Sequence, residues 1–342
     1  MGKQCLTIPI NVLLKYYNND WWRIFQFAAE NKLNVSHGNI KQLKLEQELI
    51  GDHLVVDAQT LIILAHYDCL TALQCVKHLH ITFSSVVTLQ CQYLSWNYPQ
   101  IQSLMDWLQS SNNIVYEADG FITEDEMVEF FSKDFIAGCN VARKKKIPVL
   151  YADALVTTFQ MIAKDSPLSG IDFVSIPALC NCLGESQQGH KNQMLYRLLK
   201  GCTFISFNAD TILEQIATHE FNVSTDFLSP FLICKSNYDM ESFAIVYLQA
   251  ISTLNNSHEG AAVSLAKIIL DDAFRVWRRG TYYREIAKNY GDSKALEKAA
   301  KILYYIRTVL AGIKEIFPND AEKWQQYTEL KRIVLREVKE KT

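Results

Sequence analysis

The chain has 342 residues, and its composition of 49% apolar and 21% charged residues excludes a disordered protein. The net charge of -3 argues against a strongly basic nucleic-acid-binding protein, although a local basic patch is compatible with that sum. No window holds the ~18 uninterrupted apolar residues that a membrane span needs, so we expect no membrane segment. Nine cysteines without metal-site spacing indicate free thiols in a reducing, cytoplasmic environment.

The first 50 residues are predicted to form a helical segment, in which Asn19 or Asp20 caps one helix and residues 40–49 form another. After it, short apolar runs alternate with stretches of helical periodicity. The runs are HLVVD, LHITFSS, NNIVYEAD, IPVLYAD and CTFISF. This alternation predicts an α/β domain over residues 51–230, with a mainly parallel sheet flanked by helices.

Helices are expected at three further places. A capping box, TEDE, predicts a helix that runs from Thr123 to about Lys146. Residues 165–200 are rich in Ser, Pro, Gly and Gln, and we expect only the short helix IPALCNCL within them. Near the carboxyl end the pattern is helical throughout. We therefore predict an all-α domain over residues 231–342, which offers a surface for self-association or for a protein partner.

Aspartate residues end several of the predicted strands. Asp57, Asp153 and Asp210 each come before a helical pattern, and Asp119 comes before a glycine. Open α/β sheets bind ligands at the carboxyl ends of their strands, so acidic groups there are typical of a site for a hard divalent cation. The simpler interpretation of each aspartate is a helix N-cap or, for Asp119, a turn residue.

Asp134 differs from these residues because we expect it in the middle of a helix, where its side chain cannot cap. The 19 residues from Asp134 to Asp153 fit the rest of a helix, a turn and one strand, so the chain can bring both residues near Asp57. Three carboxylates at one sheet edge repel each other unless a cation neutralises them. Mg²⁺ or Mn²⁺ suits such ligands and activates water for attack on a phosphodiester.

Three stretches of the sequence resemble the acidic motifs of PIN-domain nucleases. VVDAQTLIIL and DFIAGCNVARKKKIPVLYADAL place Asp57, Asp134 and Asp153 at three of the family's acidic positions, and ITFSSVVTLQCQYL places Gln90 where the family has a glutamate. The resemblance covers residues 50–160. It implies a hydrolase, namely an Mg²⁺- or Mn²⁺-dependent ribonuclease that cleaves single-stranded RNA. The three aspartates would bind the metal, and Gln90 would complete the catalytic pocket.

Two other interpretations stay open. An amide is neutral and is a weaker ligand than a carboxylate, so Gln90 favours a PIN-like binding or regulatory module with a weakened site. In a purely structural protein, every one of the aspartates is a cap. No Walker loop, G-x-S-x-G or G-x-G-x-x-G motif is present, which removes the common NTPase, hydrolase and dinucleotide motifs.

Basic and histidine residues are weaker candidates. Three lysines end the helix before IPVLYAD and are candidates for phosphate contacts: Lys144, Lys145 and Lys146. Three arginines in the C-terminal region lie next to tryptophan and tyrosine in the sequence; they are Arg275, Arg278 and Arg279. Aromatic rings stack on bases and arginines pair with phosphates, so this cluster suits single-stranded RNA. The simpler explanations are a solvated helix end and helix–helix packing. His78 and His80 share one strand face, and we expect them to be surface or hydrogen-bonded side chains.

Overall fold

The protein is described here by a computed structural model. The described residues are 20, 23, 35–36, 43–120, 131–152, 160, 168–184, 187–203, 207–232 and 240–339. Contacts within the chain divide it into two compact units, residues 1–206 and residues 207–342. We call the first the α/β unit and the second the helical unit.

The α/β unit is built around a parallel sheet, as the sequence predicts. Its strands are β1 (Val35–Ser36), β2 (His53–Val56), β3 (His78–Thr82), β4 (Ile114–Glu117), β5 (Val149–Tyr151), β6 (Phe173–Ser175) and β7 (Cys202–Thr203). Five of them form one sheet in the order β4-β3-β2-β5-β6, and every neighbouring pair in it is parallel. The short strands β1 and β7 form a separate parallel pair.

Helices pack on both faces of the five-stranded sheet. They are α1 (Leu43–Leu49), α2 (Ala58–His66), α3 (Phe83–Ser95), α4 (Pro99–Ser110), α5 (Lys133–Lys145), α6 (Ile176–Asn181) and α7 (Gln188–Gly201). Alternate residues of β2 serve the two layers, because successive strand side chains point to opposite faces. Leu54 and Val56 belong to a core shared with α2 and α4, whereas Val55 packs against α5. Gly138 lets α5 approach closely, since a Cβ there would lie 3.2 Å from Val55 Cγ1.

The predicted helix over residues 123–146 is wrong in one respect that matters for the site. Ser132 has a left-handed φ of 70° and acts as N-cap, so α5 begins at Lys133. Residues 121–130 lie outside the described part of the chain. Asp134 is therefore in the first turn of α5, and our expectation of a mid-helix position is corrected.

Residues 165–200 contain more structure than the sequence predicts. The short helix α6 is confirmed, but β6 precedes it and α7 follows it. β6 has only three residues, Phe173–Ser175, which is too short for an alternating pattern to be visible. The helix after β2, which Asp57 caps, ends at His66, and Asp68 then takes a φ of 53°.

The helical unit contains no strand among its described residues, which confirms the predicted all-helical C-terminal region. Its helices are α8 (Ala209–Thr218), α9 (Thr225–Leu228), α10 (Met240–Ser257), α11 (Glu259–Tyr290), α12 (Ser293–Ile316) and α13 (Gln325–Lys339). The cap of α8 is Asn208, whose side chain accepts the Thr211 N–H at 3.0 Å, so the cap expected at Asp210 lies two residues earlier. The separable domain that we expect from residue 231 stays a prediction.

Helices α10, α11 and α12 pack on one another through close contacts at glycine. A Cβ at Gly312 on α12 would lie 2.3 Å from Leu248 Cδ1 on α10, and one at Gly280 on α11 would lie 2.8 Å from Ile302 Cγ2 on α12. Both distances are shorter than real Cβ contacts, so these two crossings depend on glycine. Of the helices in the described ranges, none is long and apolar enough to cross a membrane.

Candidate functional site

The strand order has a topological switch point at the carboxyl end of β2, and we refer to this place as the crevice. Strands β2, β3 and β4 follow one another across the sheet in one direction, and β5 and β6 continue on the other side of β2. The chain connections therefore diverge between β2 and β5, and open α/β sheets bind ligands at such a switch point. Asp57 comes directly after β2, so the topology places this residue at the switch point.

Asp57 is a buried N-cap of helix α2. Its Oδ1 accepts the Thr60 N–H at 3.0 Å, and only 2% of the residue is exposed. The capping interpretation is thus correct for Asp57, but a cap needs only a short polar side chain and no charge. Serine or asparagine would serve equally well, so capping alone does not account for a carboxyl group here.

Asp134 meets Asp57 from the opposite side of the crevice. The break at Ser132 places Asp134 in the first turn of α5, with 5% of the residue exposed. Its Oδ2 accepts the N–H of Ala58 at 3.2 Å, the backbone group that follows Asp57 in the chain. Two residues that are 77 positions apart in the sequence therefore bring their carboxyl groups to one point at the sheet edge.

Burial makes both carboxyl groups reluctant to ionise. Burial raises the pKa of Asp57 to about 7, and the neighbouring Asp134 charge adds to this effect. Burial also raises the pKa of Asp134, although hydrogen bonds from Ser132 and from backbone N–H groups oppose it. Within the described ranges, no lysine, arginine or histidine pairs with either carboxyl group. Such a pair needs a proton or a cation to be stable.

Of the other two predicted site residues, one lies outside the described residues and the other is exposed. Asp153 lies outside the described residues, although β5 ends at Tyr151 and leads towards the same edge as Asp57. Gln90 is exposed on α3, whose buried side is formed by Ser85, Leu89 and Gln92. Considering only the residues that the structure describes, no three His, Cys, Asp or Glu side chains are arranged to hold a metal ion.

The lysine triplet is only partly available for ligands. Lys144 and Lys146 are exposed, whereas Lys145 Nζ lies 2.7 Å from Glu117 Oε1. The same oxygen lies 2.6 Å from His80 Nδ1, and His80 Nε2 lies 3.0 Å from His53 Nδ1. His80 is therefore hydrogen-bonded, as expected. In the helical unit the predicted arginines lie on α11, and two are exposed and one is half-buried; they are Arg275, Arg278 and Arg279.

Sequence reasoning missed a further buried acid at the same edge of the sheet. Glu46 on α1 accepts hydrogen bonds from Tyr151 Oη, Ser175 N and Ser175 Oγ, at the ends of β5 and β6. Its burial could not be read from α1, because LKLEQEL looks like a polar-faced surface helix. The glutamate side chain fastens α1 to the ends of β5 and β6.

A pair of buried hydroxyl groups was missed as well. Thr82 ends β3 and caps α3, and its Oγ1 lies 2.9 Å from Ser85 Oγ. Asp119, expected as a turn residue, accepts the Ser84 N–H at 2.9 Å and so also stabilises the start of α3. The carboxyl edge of the sheet beside Asp57 is thus lined with fixed polar groups.

Comparison of the chain with models of protein families, with curated proteins and with solved structures finds no match.

Proposed function

We propose that the protein is a metal-dependent ribonuclease of PIN type that cleaves single-stranded RNA at the crevice beside β2. The observation that carries the proposal is the meeting of Asp134 with the backbone N–H that follows Asp57. It supports a nuclease because two buried carboxyl groups that have no basic partner among the described residues form an acceptor for a divalent cation. The resemblance of the surrounding motifs to PIN-domain nucleases supports the choice of RNA as substrate.

The donor set fits Mg²⁺ or Mn²⁺, since both ions prefer carboxylate oxygens and water. Asp57 and Asp134 would hold the ion, and Asp153 is proposed as the third ligand. When bound, the cation polarises a phosphodiester and lowers the pKa of a bound water. The protein's own contribution is to keep the two carboxyl groups fixed: Thr60 N–H holds Asp57 and Ala58 N–H holds Asp134.

The test is cleavage of a fluorophore-labelled single-stranded RNA with Mg²⁺, with Mn²⁺ and with a chelator. We expect cleavage only with a metal ion, and a loss of roughly 100-fold or more in Asp57→Asn and in Asp134→Asn. Asparagine keeps the cap and the size of the side chain, so the fold is retained. Thermal unfolding of each variant checks this.

Asp172→Asn is the matched control. Asp172 is exposed and precedes β6 at the opposite edge of the same sheet, so its loss should leave cleavage unchanged. Cleavage that persists in chelator, or that survives both crevice substitutions, would show that the activity does not come from this site. Equal losses in all three variants would point to a general charge effect on RNA binding.

A second candidate function is a PIN-like binding or regulatory module with a weakened site. The amide of Gln90 favours it, because a neutral group adds little to the hold on a cation. The two functions are separated by Gln90→Glu. If the site is a working nuclease, the added carboxylate should raise metal affinity or cleavage, with Mn²⁺ more effective than Mg²⁺ in the wild type. Absence of cleavage in both proteins with either metal would favour the binding module.

A further inference from the structure

The carboxyl-terminal part of the chain is basic although the whole chain is acidic. Residues 259–342 contain 17 of the 34 Lys and Arg residues but only 12 of the 37 Asp and Glu residues. Their net charge is therefore +5, and the rest of the chain carries -8. Such an asymmetry predicts an anionic partner for this end of the protein.

A groove between helices α11 and α13 gathers part of this charge. It encloses about 400 Å³, within the range of ~300–1,000 Å³ that is typical of ligand pockets. The residues from α11 are spaced so that they lie on one helix face; they are Trp277, Thr281, Arg284, Glu285 and Lys288. Helix α13 contributes Ile333 and Arg336. The lining thus contains three basic groups, one acidic group and an indole ring.

Two of the three basic groups in the groove are available for a ligand. Lys288 and Arg336 are exposed, and neither takes part in an ion pair with another described residue. Nearby on α13, Lys331 is already neutralised by Glu322 at 2.9 Å. The Arg284 guanidinium donates to Gly280 O and Thr281 Oγ1, so its position is fixed before any ligand arrives.

We propose that this groove binds a single-stranded nucleic acid, with phosphates on Lys288 and Arg336 and a base against Trp277. An arginine fork makes two hydrogen bonds to a phosphate and the lysine adds a point charge, as both would to a carboxylate, so the indole decides between the two kinds of ligand. The indole favours a nucleic acid over an acidic peptide, since every base has a face that stacks on an aromatic ring. The groove is a binding site in its own right and does not depend on metal at Asp57.

The experiment uses the full chain in a chelating buffer, so that cleavage and the metal site play no part. Fluorescence anisotropy measures binding of a labelled oligouridylate of about 12 nucleotides, a length suited to single-strand grooves. We expect Lys288→Gln/Arg336→Gln to weaken binding by about tenfold or more. The slope of log K against log salt should also become shallower by roughly 1.4, for the loss of two phosphate contacts.

The matched control removes the same charge elsewhere in the helical unit. Lys294 and Arg307 are exposed on α12 and do not line the groove, so Lys294→Gln/Arg307→Gln should change affinity less than about twofold. Equal weakening in the two double variants would overturn the proposal, as would failure of the wild type to bind. Competition by polyglutamate as strong as that by unlabelled RNA would also overturn it, in favour of an acidic peptide. Binding that is lost only in the groove variant supports it, whatever the outcome of the cleavage test.

Discussion

The α/β unit and the helical unit differ in how many polar side chains they bury. Among the described residues, twelve polar or charged side chains are buried in the α/β unit but only three in the helical unit. The buried acids of the first unit are Asp20, Glu46, Asp57 and Asp134. The helical unit keeps nearly all its charge at the surface, where it raises net charge locally without a desolvation cost. Chemistry is therefore expected inside the first unit and electrostatic binding on the surface of the second.

The largest effect that tests this contrast concerns Glu46. Glu46→Ala removes the acceptor of three hydrogen bonds at the ends of β5 and β6. Because the Ser175 N–H is then buried without a partner, we expect a loss of about 3 kcal/mol in the free energy of unfolding. Urea denaturation measures it. Glu48→Ala, on the exposed side of the same helix, should cost less than about 0.5 kcal/mol. Similar values for both would mean that α1 is not fastened through this side chain.

The next effect has the opposite sign and concerns Asp57. Its pKa rises from 3.8 to about 7 on folding, so wild-type stability is full below pH 4 and is lost as the pH rises towards 7. Asp57→Asn removes the repulsion with Asp134 and keeps the cap. At pH 8 without metal we expect the variant to be more stable by roughly 2 kcal/mol, with little difference at pH 4. Thermal unfolding at the two pH values measures this.

If the proposed site exists, a divalent metal ion should make the wild type more stable than Asp57→Asn at pH 8. Mn²⁺ at pH 8 should raise the unfolding temperature of the wild type and leave Asp57→Asn unchanged, because only the wild type keeps both carboxylates. Asp172→Asn should behave as the wild type does. If Asp57→Asn proves less stable than the wild type at pH 8 without metal, the two carboxyl groups do not repel each other.

The sequence allowed the sheet to be predicted because each of its longer strands is a compact apolar run that ends at a polar residue. HLVV and HLHIT were visible for this reason, and so were the four long helices of the carboxyl-terminal region. β6 could not be predicted, since three residues carry no period. The position of α5 was wrong because nothing in the sequence marks Ser132 as a left-handed N-cap. That conformation is favoured by the fold around it rather than by local propensity.

The candidate site was predictable only as a set of residue types. Asp57 could be selected from its position after a strand and Asp134 from the motif resemblance, but their contact depends on how α5 packs on β2. Gly138 permits this packing, and its role is invisible without the structure. Glu46 and the Thr82–Ser85 pair were missed because burial of a polar side chain leaves no pattern in the sequence when its partners lie on distant strands.

In the helical unit, stability should depend mainly on packing. Gly312→Ala places a Cβ 2.3 Å from Leu248 Cδ1, so the α10–α12 contact must open. We expect a net loss of about 1–2 kcal/mol, although alanine has the better helix propensity. Gly260→Ala on α11 meets nothing within 4 Å and should be neutral or slightly stabilising. Denaturation measures the free energy of unfolding of both variants. If Gly312→Ala proves more stable than the wild type, the helices can separate at this contact without cost.

The smallest effect is the response of His80 to pH. It tests the contrast between the two units, because His80 is a second buried group of the α/β unit that can titrate. Burial lowers the pKa of His80 below 6.5, and the Glu117 carboxylate opposes this shift. Lys145 and His53 also contact the pair. Neutral His80 can donate from Nδ1 to Glu117 and accept from His53 at Nε2, whereas the protonated ring cannot accept. Stability from this group is full above pH 6.5 and is lost as the pH falls through the lowered pKa.

Asp57 has the opposite pH dependence over the same range, so the two effects offset each other in the wild type. The response of His80 is therefore best measured in the Asp57→Asn background, where we expect stability to fall as the pH is lowered from 7 to 5. Adding His80→Gln should flatten that profile. His78→Gln, at the exposed start of the same strand, should leave it unchanged. A profile that stays equally steep without His80 would assign the proton uptake to another group.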